Sequence, residues 1–299
     1  MDSIIRRITA GIPDGRVGGA LGDRHTARWP EIDAGQQVQG AEEKVFAMAS
    51  TGREDTLERR VLVATDESEL GEQARRWAGR CARKLGVTLV TLQGVSATAT
   101  ESLTETLAPV RPSDLLVVGL ADHQGRIPNV AVDLVAAAPC LTVLMRADGG
   151  NPRETVTAAV SGDQSDEAVL AAAVDIAAIS HAEVRLLHTR PLPLRRSDSP
   201  AERWAGQIVL ESARRQILQL APSCTPSTQL LRLQAQEAVC HQCGTGLLVV
   251  GARRSSRPGL GLVTRTALYH ARSPVAVVHA THPAAERKRT LKASELSLL

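Results

Sequence analysis

The sequence predicts an α/β protein built from two tandem, doubly wound parallel sheets, each covered by helices on both faces. Three observations point there. Short unbroken apolar runs, such as VLVAT at 61–65 and LLVVG at 115–119, alternate with stretches of helical period. Strands buried on both faces read as such runs, and crossover helices are what cover both faces. The run LLVVG recurs at 247–251, and each copy is followed by a polar turn, an Ala-rich amphipathic stretch and a closing apolar run. At 299 residues, 43% of them hydrophobic, the chain is long enough for about two domains.

Residues 1–56 are rich in Gly, Asp, Arg and Gln without sustained period and are expected to be disordered, with translation starting at Met1 or at Met48. VLVAT is the first strand, and Leu70, Ala74, Trp77, Ala78, Cys81, Ala82 and Leu85 follow at helical spacing. VTLVTL from Val87 reads as a second strand, TESLTETLAPV as a short helix, DLLVVG as a third strand, NVAVDLVAAA as a helix and LTVLM as a fourth strand. The series restarts after RADGGNPRE. TVTAAV is a strand, Val169, Ala172, Ala173, Ile176 and Ala177 mark a helix, and VRLLH is a strand. AERWAGQIVLESARRQILQL is a long helix, TQLLRL a strand, AQEAVCHQC a helix and LLVVG a strand, with LVTRTALYHA and VAVVH closing the series. The copies register at an offset of 95 on Ala74 and Val169 but 132 on Gly119 and Gly251; 132 minus 95 leaves 37 residues, one helix and one strand. The first copy therefore lacks that unit between Leu92 and Thr100, giving four strands against five. The expected division is 57–147 for the shortened first domain, 154–280 for the second and 281–299 for a basic tail.

Composition excludes several classes. The net charge is only +3, part of it in ERKRTLK at 286–292, and one Tyr, one Phe and three Trp supply no stacking platform, so no nucleic acid is expected. The opening has no apolar run of signal-peptide length, and the Ala-rich stretch near Ala171 is broken by Asp175, so a cytoplasmic protein without membrane contact is expected. Cys81, Cys140, Cys224, Cys240 and Cys243 are too few and too irregular for a disulfide framework. Cys240 and Cys243 form CHQC, open to a thiol or metal sensor, yet no second pair stands at ligand spacing and a core face has the same i to i+3 look. His188 and His270 have no adjacent nucleophile or acid that suggests a triad. Trp77 and Trp204 read as packing anchors, and RRSS at 253–256 and LRRSDS at 194–199 as short sites for a basophilic kinase.

VLVATDESELGEQARRWA resembles the first strand, acidic turn and first helix of the universal stress protein family; LLVVGARR is similar to its fourth strand and loop, and ALYHARSPVAVVH to its last helix and strand. The resemblance covers 60–145 and 155–280. It implies a five-stranded parallel sheet in the order 3-2-1-4-5 in each copy, often paired through the fifth strand, with a crevice where the chain reverses direction across the sheet. An internal pseudo-dimer of the two domains is expected, with a homodimer as a further form and a regulatory protein as partner.

Family members that bind ATP have an acid after the first strand and a loop G-x2-G-x9-G-(S/T) after the fourth, whose backbone N–H groups and following helix N-terminus receive the phosphates. By resemblance, Asp66 is the acid and Gly119 the loop's start in the first copy, but Asp122 and Pro128 spoil its cradle. The alternative for Asp66 is a helix-capping turn. The second copy keeps Gly251, Gly259 and Gly261 and adds Arg253, Arg254 and Arg257, while Ser161 and Leu262 stand where acid and hydroxyl belong and the glycine spacing is 10 instead of 13. A solvated loop is the alternative there. The implied function is a non-enzymatic stress-response regulator with degenerate nucleotide sites and no cofactor. The alternatives are an ATP binder using the loop after Gly251 and a sensor acting through Cys240 and Cys243.

Overall fold

The computed structural model describes residues 59–92, 95, 103–122, 124, 126–146, 155–190, 200–241, 246–252 and 259–279. The expected disordered N-terminus with its two start sites, the linker after Arg146, both kinase-type serine runs, Cys243 and the basic tail lie outside those residues.

Among the described residues are nine strands and seven helices: β1 (Arg60–Thr65), α1 (Glu69–Leu85), β2 (Thr88–Leu92), α2 (Leu103–Leu107), β3 (Leu115–Gly119), α3 (Asn129–Ala137) and β4 (Leu141–Leu144) form the first half. The second half holds β5 (Thr155–Ala159), α4 (Asp166–Ser180), β6 (Glu183–Thr189), α5 (Pro200–Leu220), β7 (Ser227–Leu231), α6 (Ala235–His241), β8 (Leu247–Gly251), α7 (Leu262–His270) and β9 (Val275–Val278). Helix α1 shows why its sequence folds as it does. Ser68 caps it by accepting from Gly71 N–H at 3.1 Å, Glu69 and Glu72 face the positive end of its dipole, and Gly86 at φ 66° ends it in the left-handed region.

The strands make one sheet in the order β2-β1-β3-β4-β9-β8-β5-β6-β7. Numbered within its own half, the second series runs 5-4-1-2-3, the order the resemblance implies. The first series places β2 at the sheet's edge, where the second half continues from β6 to β7. Among the described residues, the first half thus has four strands, as the offset arithmetic expects. Every neighbouring pair is parallel except β4 and β9, which run antiparallel with Thr142 opposite Val277 and Leu144 opposite Val275. The two expected sheets are therefore continuous, because closing apolar strands left as free edges satisfy their N–H and C=O groups on each other.

A core layer lies on each face. Val61, Val63, Val117, Val156, Ala158 and Val249 point to the layer under α1 and α4, and Leu62, Leu116, Val118, Leu248, Val275 and Val277 to the layer under α3 and α7. The second layer also carries polar links across the β4–β9 joint. Arg146 Nη2 donates to Leu268 O at 2.6 Å in the last turn of α7, and His279 Nε2 lies 3.0 Å from Val135 O in α3. The two links are reciprocal: each residue just beyond a half's last strand binds a carbonyl in the other half's last helix.

Trp77 is buried, as expected of an anchor, but Trp204 is not: 67% of its surface is exposed. Helix α5 buries Gly206, Leu210, Ala213 and Ile217, and at 3.6 residues per turn that face leaves Trp204 on the opposite side.

Candidate functional site

The carboxyl ends of β1 and β3, and of β5 and β8, are the switch points of the two halves, and each is shaped by one acid and one glycine. In the first half Asp66 accepts from Ala121 N–H at 3.0 Å through one carboxylate oxygen, and from Ser68 N–H at 3.1 Å and the Ser68 hydroxyl through the other. Both oxygens are thus engaged, one tying the turn after β1 to the loop after β3. Gly119 allows α1 to press against β3: a Cβ there would stand 2.3 Å from Ala74 Cβ and 2.9 Å from Leu70 O. Asp122 folds the following loop on itself, accepting from Gln124 and Arg126 N–H groups at 2.8 Å each, and Ile127 packs against both core layers. Among the described residues, these contacts pack β1, α1 and β3 together at the first switch point.

The second is open. A cavity of about 340 Å³ lies there, lined by Ser161, Asp166, Val169, His188, Gly251 and Thr264 among others. Gly251 ends an LLVVG run identical to that of Gly119, yet a Cβ on it would meet Val169 Cγ2 only at 3.6 Å, ordinary contact. Gly261 occupies the N-cap of α7 without a side-chain cap, so the helix's first turn borders the cavity with its own N–H groups. Thr264 donates its hydroxyl to Gly251 O at 2.7 Å, fixing that helix to the end of β8. Gly259 has φ 92° with open space around its missing side chain. Arg253 and Arg254, the arginines expected to serve an anion, lie outside the described residues.

Sequence reasoning noted the absence of an acid at Ser161 but missed Asp166, five residues on. Its carboxylate is buried and accepts from Ser161 N–H at 2.9 Å, from the Ser161 hydroxyl at 3.0 Å and from Gly162 N–H at 2.6 Å. An acid in the first turn of a helix, behind the small residues SGDQS, was the available signal. His188 was read as structural. One role is: its Nδ1 lies 2.8 Å from Val160 O, while the ring also borders the cavity.

The cysteines do not form a reactive centre among the described residues. Burial pushes the thiols of Cys81 and Cys140 up to about 12, and that of Cys240 upward as well. Cys240 packs against the core layer under α7. No group of three or more His, Cys, Asp or Glu that could hold a metal ion occurs among the described residues, and no helix there is long and apolar enough to cross a membrane.

Fold and crevice define a class: a doubly wound α/β protein with a cavity at the switch point of its second half. Among solved structures it is similar to a universal stress protein of Pseudomonas aeruginosa, at 14% identity over 79% of this chain and 98% of that one, with a TM-score of 0.52. A universal stress protein of Archaeoglobus fulgidus matches at 12% identity over 74% of this chain and 98% of that one, with a TM-score of 0.51. No family model matches the chain, and no curated protein matches it in sequence. The chain has the universal stress protein fold.

Proposed function

We propose that the chain is a non-enzymatic, ligand-responsive regulator in which the first switch point has become structural and the second alone receives a ligand, weakly. The contrast between Gly119, closed by Ala74, and Gly251, open onto the 340 Å³ cavity, carries this reading. Its support against catalysis is chemical. Asp66 and Asp166 each accept hydrogen bonds from three donors in their own turns and neighbouring loop, so their carboxylate oxygens are engaged in holding those turns in place.

The ligand we infer is an adenine nucleotide, received between the ends of β5 and β8 with its phosphates toward the N-terminus of α7. Two contacts are weakened relative to nucleotide-binding members of the fold: Ser161 replaces the acid and Leu262 the hydroxyl. Each such contact is worth about 1.5–3 kcal/mol, so the affinity falls by roughly two to four powers of ten. Calorimetry with ATP and magnesium on the full chain tests this. Millimolar binding at one site per chain, removed by Gly251→Val, is the expected result. Micromolar binding abolished by Gly259→Val would overturn the degenerate-site reading, because the shortened glycine loop would then be an intact cradle.

A further inference from the structure

The helix–strand unit α5–β7, which has no counterpart among the described residues of the first half, brings with it a surface that the nucleotide reading does not use. A groove of about 860 Å³ runs between α5 and β7, lined by Trp204, Ile208, Glu211, Arg214, Arg215 and Thr228 among others. β7 is an outer strand of the sheet, so the groove faces away from the β4–β9 joint. Trp204 and Ile208 are 67% and 61% exposed, unusual for large apolar side chains four residues apart on one helix. Positions 204, 208, 211 and 215 fall at i, i+4, i+7 and i+11, which puts them in a single stripe along α5. The stripe is ordered: an aromatic and an aliphatic residue toward the N-terminus, then a carboxylate and a guanidinium. Glu211 holds Arg215, Nε to Oε1 at 3.4 Å, and Arg214 at 3.6 Å, so the charged end is already aligned.

We propose that this stripe is a homodimer interface, in which α5 of one chain lies antiparallel to α5 of a second copy. Centring the crossing between positions 209 and 210 sets Trp204 against Arg215 of the second copy, and Ile208 beside the methylene stem of its Glu211. By the twofold axis, each of these contacts occurs twice. A guanidinium over an indole face is a favourable pairing, and Arg215 keeps its own Glu211 while making it. The second copy is the occupant chosen because the stripe is complementary to itself in reverse: its aromatic end matches its cationic end at equal distances from the centre. Among the described residues the unit occurs in one half only, so the surface is offered once per chain, and pairing closes at two chains instead of growing into a filament. The β7 edge contributes less, since Ser227 and Thr228 face solvent there with no apolar row.

Sedimentation equilibrium of the full chain, from low micromolar to several hundred micromolar, tests the proposal. The mass should rise with concentration to twice that of one chain and no further. Trp204 emission should move to shorter wavelength over the same range, judged against Trp204→Phe. Ile208→Arg and Arg215→Glu should each weaken association at least about tenfold while leaving the circular dichroism unchanged. If Ile208→Arg does not fold, Arg215→Glu decides alone, because that side chain is 72% exposed. A single chain at every concentration, a dimer indifferent to both substitutions, or open-ended association would each overturn it.

Discussion

Gly119 and Gly251 end identical LLVVG runs, and their neighbours give them opposite consequences. A methyl group at Gly119 would collide with Ala74 and the Leu70 carbonyl, whereas at Gly251 it would meet Val169 at ordinary contact distance. Gly119→Ala should therefore cost about 1–3 kcal/mol in urea unfolding, and Gly251→Ala should stay within about 0.5 kcal/mol. Equal costs would contradict the difference between the two switch points. The buried thiols give a second expectation. Unfolded Cys81 and Cys140 ionise near their ordinary value of 9.0, while burial holds both folded thiols neutral up to about 12. Between those values the unfolded chain has fewer bound protons, so the stabilisation is complete below about pH 9 and is lost as pH rises through that window. The slope is about 1.4 kcal/mol per pH unit for each thiol. Cys81→Ala should remove about half of it, measured by urea titrations across the alkaline range; an unchanged slope would refute the assignment.

The β4–β9 ladder decides how the elements hold together. Val275 and Val277 are fully buried and project into the same core layer, opposite Leu144 and Thr142. Val277→Lys leaves a charge without a partner there and should cost more than about 3 kcal/mol. Arg146→Ala, which removes a donor to two carbonyls of α7, should cost about 1–2 kcal/mol. Thermal denaturation of both variants checks the order, and a neutral Val277→Lys would mean that the joint does not form. Most elements were legible in the sequence, because strands buried on both faces and helices with one apolar stripe have distinct periods. Trp204 was misread for a physical reason. Helix α5 carries Trp204 and Ile208 on its outer side as well as Leu210 and Ile217 on its inner side, so its apolar pattern does not say which face is buried. The site was half legible. The resemblance put Asp66 and Gly251 at strand ends, where the structure has them, but the contact of Ala74 with Gly119 and the turn built around Asp166 depend on packing between elements that a motif does not encode.

At the scale of the whole molecule, one continuous sheet joins a closed switch point to an open one. The self-folded Asp122 loop and the contact of Ala74 with Gly119 pack the first, and in the proposed function its role is structural only. The central claim is that a nucleotide reaches only the second. Amide chemical shifts of the isotope-labelled full chain, followed as ATP and magnesium are added, test it most directly. The account predicts shifts at Ser161, Thr189, Gly251 and Gly261 with a common midpoint in the millimolar range, and none at Gly119 or Ala121. Shifts at Gly119 and Ala121, a micromolar midpoint, or no response around Gly251 would contradict it.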